Sequence, residues 1–129
     1  MWSTATWLCE RTLEGHTDFV LSLALCGDKL VSGSKDNTVR VWSTAGDWNC
    51  ERTLTEHTSY VFALAVHAGK LLSGSHDRTV KVWDPASWTC ERTIDGIGSV
   101  VTALQTIGDK LALGLFNGKV EVRLSLIHI

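Results

Sequence analysis

His16, Ser32, Asp36 and Trp42 recur 41 residues later as His57, Ser73, Asp77 and Trp83. Histidine, serine and aspartate are the residue types of nucleophilic acyl transfer, in which aspartate orients a histidine that takes the proton of a serine hydroxyl. Repetition argues against that use, because an active site is seldom duplicated at every period. A hydrolase using His, Ser and Asp is therefore the least favoured reading. The third copy of the pattern carries Ile97, Leu113, Asn117 and Arg123 at the same four slots, while Gly96 and Gly114 stay in place. All four polar residues change together. That fits a cooperative buried group, in which each donor or acceptor left unpaired would cost ~1–3 kcal/mol.

The remaining chemistry-bearing residues form no second constellation. The five histidines and four cysteines include no Cys-x-x-Cys or His-x-x-x-His pair, so neither a metal nor a cofactor is expected. Gly33 and Gly74 sit inside strand patterns, where glycine marks close backbone approach, rather than in a phosphate-cradling loop. Lysine and arginine are spread in ones and twos along a chain of net charge −2, so no nucleic-acid partner is expected. No stretch approaches the ~20 apolar residues of a membrane helix, and no membrane partner is expected. The opening Met-Trp-Ser-Thr lacks the basic and apolar regions of a signal peptide. Cys9, Cys50 and Cys90 share one slot in successive copies, a full unit apart and beyond the ~7 Å reach of a disulfide. Cys26 falls in a turn. Four reduced thiols point to an intracellular protein, cytoplasmic first and nuclear second.

The elements that position these residues follow from a second repeat. Cys-Glu-Arg-Thr occurs at 9–12, 50–53 and 90–93, each time two residues after Trp7, Trp48 or Trp88. Within one period, residues 7–13 read as a first strand. Phe19 to Leu25 is nearly continuous apolar sequence, as in a strand buried on both faces. Cys26-Gly27-Asp28 is a turn and Lys29 to Ser34 a third strand. Lys35-Asp36-Asn37 suits a tight polar turn. Thr38 to Trp42 alternates with a period of two. Four strands every ~40 residues match a propeller blade rather than a helical array.

Gly15-His16 followed by Leu30 through Trp42, and the second copy Leu71 through Trp83-Asp84, resemble the WD-repeat family. The resemblance covers nearly the whole chain. It implies an all-β fold: an open β-propeller fragment of about three four-stranded blades. Repeats are expected at about 7–47, 48–87 and 88–123, with the end of an earlier repeat at 1–6. Each repeat would begin with the outermost strand of one blade and continue with three inner strands of the next. The charged Glu-Arg pair on that outer strand would keep the edge from pairing with other chains. The resemblance also implies a structural network: aspartate accepts from histidine, histidine contacts serine, and serine reaches the tryptophan ring nitrogen.

Partner binding in this family is expected on the face carrying the histidine loop and the aspartate turn. The positions there are Phe19, Leu21 and Lys35; Tyr60, Phe62 and His76; and Val100, Thr102 and Phe116. Aromatic residues dominate, as in binding hot spots. Phosphopeptide readers place arginine at several such positions; Leu21, Phe62, Lys35 and His76 point instead to an apolar or aromatic-anchored peptide. The short turns at 26–28 and 67–69 are similar to those of ubiquitin-ligase receptors and of myosin heavy-chain kinases. A substrate-receptor or targeting segment of a ligase or kinase is thus the alternative to a non-catalytic protein-interaction scaffold.

Trp2 parallels Trp42 and Trp83, so the chain opens inside a repeat. Residues 124–129, Leu-Ser-Leu-Ile-His-Ile, match nothing in the repeats. The codons CTG TCT CTT ATA CAC ATC, a transposase end sequence used in library preparation, would encode them, so a non-native tail is expected. Both ends look cut from a longer array. The open wedge that results is expected to self-associate through its unpaired blade edges.

Overall fold

The computed structural model describes residues 8–124; the expectations for Trp2, Trp7 and the tail beyond Leu124 lie outside the described residues. Among the described residues eleven strands build three antiparallel sheets. The first sheet comprises β1 (Val20–Cys26), β2 (Lys29–Ser34), β3 (Val39–Ser43) and β4 (Cys50–Leu54) in chain order. The second repeats this as β5 (Val61–His67), β6 (Lys70–Ser75), β7 (Val80–Asp84) and β8 (Thr89–Ile94). The third has three strands among the described residues: β9 (Val101–Ile107), β10 (Lys110–Leu115) and β11 (Val120–Leu124). Among the described residues no sheet closes on itself.

The registers are copies of one another. Val31 opposes Val41 in the first sheet, Leu72 opposes Val82 in the second, and Ala112 opposes Val122 in the third. Leu124 opposes Lys110, as Ser43 opposes Lys29, so β11 runs one residue past Arg123.

Each sheet is apolar on both faces, and the cores lie between sheets. β5 packs against β1 and β2, and β9 against β5 and β6. One core joins Val31, Val39 and Val41 of the first sheet to Val61, Leu64, Leu71 and Trp83 of the second. The other joins Leu72, Val80 and Val82 of the second to Ile97, Val101, Leu111 and Leu113, on and before the third. The Leu64 amide also donates across the first junction to Ser22 Oγ at 3.1 Å. Gly33 and Gly74 set the approach. A Cβ on Gly33 would lie 2.7 Å from Val61 Cγ1, and one on Gly74 2.6 Å from Val101 Cγ1. The close approach read from the sequence is therefore made by the following sheet.

Three expectations need correction. The segment before Gly15 forms no strand over its described residues 8–14, because an outer strand needs a neighbouring strand for its backbone groups and none lies beside it among the described residues. β1 is not buried on both faces: Leu23 is 63% and Leu25 64% exposed. The matching strand β5 does bury Val61, Ala63 and Leu64, because sheets flank it on both sides. Position in the array decides burial here, not composition. Finally, Cys26 closes β1 rather than lying in a turn, and is buried in the first core, which pushes its thiol pKa up.

Gly74→Ala should lower stability by ~1–3 kcal/mol, since overfilling a packed junction forces backbone shifts. Gly114→Ala, whose Cβ would meet nothing nearer than Ala103 Cβ at 3.2 Å, should cost distinctly less. Equal shifts of the urea midpoint would contradict this placement of the junctions.

Candidate functional site

In the first sheet His16 approaches from the loop before β1, Ser32 lies within β2, Asp36 in the β2–β3 turn and Trp42 within β3. His16 Nδ1 lies 2.8 Å from Asp36 Oδ2, and His16 Nε2 2.6 Å from Ser32 Oγ. Trp42 Nε1 donates to the same Ser32 Oγ at 2.9 Å. The second sheet repeats this: His57 Nδ1 to Asp77 Oδ2 at 2.8 Å, His57 Nε2 to Ser73 Oγ at 2.6 Å, and Trp83 Nε1 donating to Ser73 Oγ at 2.8 Å. The structure brings all eight residues together as two tetrads.

Donors and acceptors match with neutral histidine. A proton on Nδ1 is donated to the carboxylate. Nε2 then accepts from the serine hydroxyl, whose oxygen accepts the indole N–H. Each aspartate is pinned further. Asp36 Oδ2 accepts the Thr17 amide at 3.0 Å, and Oδ1 accepts the Thr38 amide at 2.9 Å and the Thr38 hydroxyl. Asp77 has the same three partners in Thr58 and Thr79.

Burial opposes ionisation of both aspartates. The hydrogen bonds from Thr38, His16 and Thr17 outweigh it at Asp36, those from Thr79, His57 and Thr58 outweigh it at Asp77, and both carboxyls stay below their usual range. Burial pushes His57 down, and the pull of Asp77 does not overcome it. At the third sheet the slots change character. Ile97 and Leu113 are buried in the second core. Asn117 Oδ1 keeps the turn bond, accepting the Lys119 amide at 3.0 Å, and Arg123 pairs with Glu121 at 2.9 Å.

The nine face positions sit at one end of the sheets, beside the turns holding Asp36, Asp77 and Asn117. One backbone bond organises them: Lys35 N donates to Phe19 O, His76 N to Tyr60 O and Phe116 N to Val100 O, at 2.8, 2.8 and 2.9 Å. Leu21, Phe62 and Thr102 each fall at a break in register between the first two strands of their sheet. A bulge leaves such a residue outside the ladder and re-aims its side chain.

Between the first and second sheets the side chains form a continuous ladder. Lys35 Nζ lies 5.4 Å from the Phe19 ring centroid and 5.1 Å from that of Tyr60. Tyr60 stands 6.1 Å from Phe62 and 5.3 Å from His76, and Phe62 stands 6.2 Å from His76. Phe19 is 69% and Phe116 78% exposed. Phe116, Val100 and Thr102 share the backbone scaffold but do not join the ladder of rings.

The WD domain, G-beta repeat family matches residues 7–43 and 48–84, more than half of the chain. The chain belongs to the WD-repeat family. Among similar proteins, the ribosome biogenesis protein YTM1 of Meyerozyma guilliermondii is 46% identical over 48 residues, 35% of this chain and 11% of that protein. The WD repeat-containing protein pop1 of Schizosaccharomyces pombe is 54% identical over 35 residues, 27% of this chain and 4% of that protein. The transcriptional repressor tup12 of the same yeast is 45% identical over 38 residues, 28% of this chain and 6% of that protein. The WD-repeat chain thus spans a small part of the length of the relatives it matches.

Sequence reading missed two repeated contacts. Ser34 Oγ donates to Phe19 O at 2.8 Å and Ser75 Oγ to Tyr60 O at 2.7 Å, bracing the face from below. The third copy has Leu115 there, a loss parallel to that of the tetrad, and that parallel was available in the sequence. The other contact concerns the outer strands. Glu51 pairs with Lys29 at 3.0 Å and Glu91 with Lys70 at 2.8 Å, tying β4 and β8 to the start of the second strand in their own sheets.

A folded-state histidine pKa below the unfolded value gives stability that is present at neutral pH. It is lost as pH falls through the unfolded value of ~6.5. Thermal unfolding should therefore shift to lower temperature between about pH 7.5 and pH 5.5 as His57 charges on unfolding. A second loss should follow below about pH 4, where unfolded aspartates take up protons that Asp36 and Asp77 resist. A melting temperature flat over the first interval would refute the neutral, buried His57.

Proposed function

We propose that this WD-repeat chain is a non-catalytic protein-interaction scaffold, and that its ligand is a peptide with apolar or aromatic anchors. The observation that carries the reading is the ladder Phe19–Lys35–Tyr60–His76–Phe62, which spans two neighbouring sheets at one end. Rings held by bulges and backbone bonds on a rigid sheet lose little entropy when a ligand settles on them. None of the nine face positions is arginine, and Lys35 is already engaged by two rings, which disfavours phosphate as the anchor.

A non-catalytic role is supported by the tetrads themselves. Ser73 is fully buried and Ser32 3% exposed, so an acyl substrate has no path to either hydroxyl. Each Oγ also spends a lone pair on an indole N–H. The names of the relatives, ribosome biogenesis and transcriptional repression, favour a general scaffold over a ligase or kinase targeting segment. An intracellular location, cytoplasmic or nuclear, is the reading that four free cysteines support. A second copy of the chain, meeting its open sheet faces, is a further partner supported by the exposed Leu23, Leu25, Val120 and Val122.

Selection from a displayed peptide library should return ligands with aromatic or aliphatic anchors. Replacing Phe19, Tyr60 and Phe62 together by alanine should weaken the best of them by ~30-fold or more, the effect of losing a hot spot of ~2 kcal/mol. Unchanged affinity in the triple variant, or selection of phosphorylated ligands only, would overturn the assignment of this face.

A further inference from the structure

We propose that the peptide bound at this face carries an aspartate or glutamate side chain beside its aromatic anchor, and that Lys35 binds that carboxylate. The proposal rests on the reading, given above, that the ladder of rings is a peptide-binding surface, and names the charged group the peptide must bring.

Charge is unbalanced where the first and second sheets meet. Lys35 is the one permanently charged residue among the nine face positions, and none of the nine is acidic. Among the described residues no carboxylate comes within ion-pair distance of its ammonium. The acids close to it in the fold are committed elsewhere. Asp18 Oδ1 accepts the Phe19 amide at 2.8 Å. Asp36 is held by His16, Thr17 and Thr38. Lys35 instead reaches across the junction, where its Nζ lies 5.1 Å from the Tyr60 ring centroid.

The ammonium is also held in place. Lys35 N donates to Phe19 O at 2.8 Å, so the lysine and the first ring ride on one backbone bond. The Phe19 and Tyr60 rings, at 5.4 and 5.1 Å, then hold Nζ by cation–π attraction. Restraint of this kind lowers the entropy lost when a ligand binds. An ammonium carries three N–H donors, and ring faces attract its charge without supplying the oxygen acceptor that those donors match best. A phosphate dianion calls for several donors, as in the fork of an arginine. A carboxylate is matched in charge by this single ammonium.

Comparison between the copies points the same way. Residues that build each unit recur, such as Ser34 and Ser75 under the face and Asp36 and Asp77 in the turns. The slot of Lys35 holds His76 in the second copy and Phe116 in the third. The same backbone bond forms with all three side chains, so the fold does not require a lysine there. The cation is confined to one junction.

Placement also decides which carboxylate fits. In the ladder Lys35 stands between Phe19 and Tyr60, and Phe62 and His76 continue it beyond Tyr60. A peptide that covers rings on both sides must run past Lys35. A side-chain carboxylate allows this and a terminal one does not. An extended chain advances ~3.3 Å per residue, so rings this close to the ammonium put the anchor within about two residues of the acid.

Peptides selected from a displayed random library against the full chain should carry aspartate or glutamate within about two residues of an aromatic anchor. Synthetic copies with that acid changed to its amide should bind ~5–10-fold more weakly in fluorescence anisotropy. Lys35→Met should bind the acid and amide peptides alike, and Lys35→Arg should restore the difference. Phe62→Ala should weaken both peptides while keeping their ratio, and circular dichroism should find every variant folded. Aromatic-anchored peptides that bind equally well as acid and amide would overturn the carboxylate site and leave the reading of the face standing. A preference for the acid that survives Lys35→Met would overturn its assignment to Lys35. Recovery of no peptide with aromatic or aliphatic anchors would overturn the reading of the face, and this proposal with it.

Discussion

A β-sheet that is apolar on both faces cannot satisfy itself, and everything in this chain follows from that constraint. Val31, Val39 and Val41 of the first sheet find their partners in Val61, Leu64 and Leu71 of the second. The second sheet turns Leu72, Val80 and Val82 to the third. Stability is therefore a property of junctions between units rather than of units. Gly33 and Gly74 are where that is most exacting, since a valine from the next sheet fills the space a side chain would take.

The tetrad solves a local problem created by the same geometry. The loop before each first strand must cross the end of its sheet, and its polar groups need partners in a place that water reaches poorly. His57, Ser73, Asp77 and Trp83 supply a closed chain in which every donor has an acceptor. The third sheet solves the problem with Ile97 and Leu113 packed in the second core. Both solutions work because each is complete. A serine facing Ile97, or a leucine facing His57, would leave a buried polar atom unpaired, at a cost of ~1–3 kcal/mol. This is why the four positions change together along the sequence.

The turns at Asp36 and Asp77 and the membership of the two tetrads were legible in the sequence because each depends on comparison between copies, whereas the strand expected before Gly15 does not form over residues 8–14 and Cys26 closes β1 rather than lying in a turn. The period placed Asp36 and Asp77 in turns and Ser32 and Ser73 on the second strand of each sheet. Burial was less legible. Phe19 to Leu25 reads as a strand buried on both sides, yet among the described residues β1 has a covering sheet on one face alone, while β5, of similar composition, has one on each. No local window carries that information. The bulges at Leu21, Phe62 and Thr102 were hidden for a different reason: they arise from register, which is a relation between two strands.

The repeated Cys-Glu-Arg-Thr gains a second meaning from the structure. Read as sequence, its charged pair guards an exposed edge. In the sheets the glutamate is engaged: Glu51 and Glu91 reach Lys29 and Lys70 of the second strands in their own sheets. An exposed ion pair contributes little to stability, ~0–1 kcal/mol, but it costs little to form where the strand is already paired through its backbone. Its use is selective. A strand that arrives out of register, or from an unrelated chain, would bring no carboxylate opposite that lysine, so the pair favours the correct outer strand over its competitors. The backbone ladder holds the strand, and the Lys–Glu contact adds at most a small preference for the correct register.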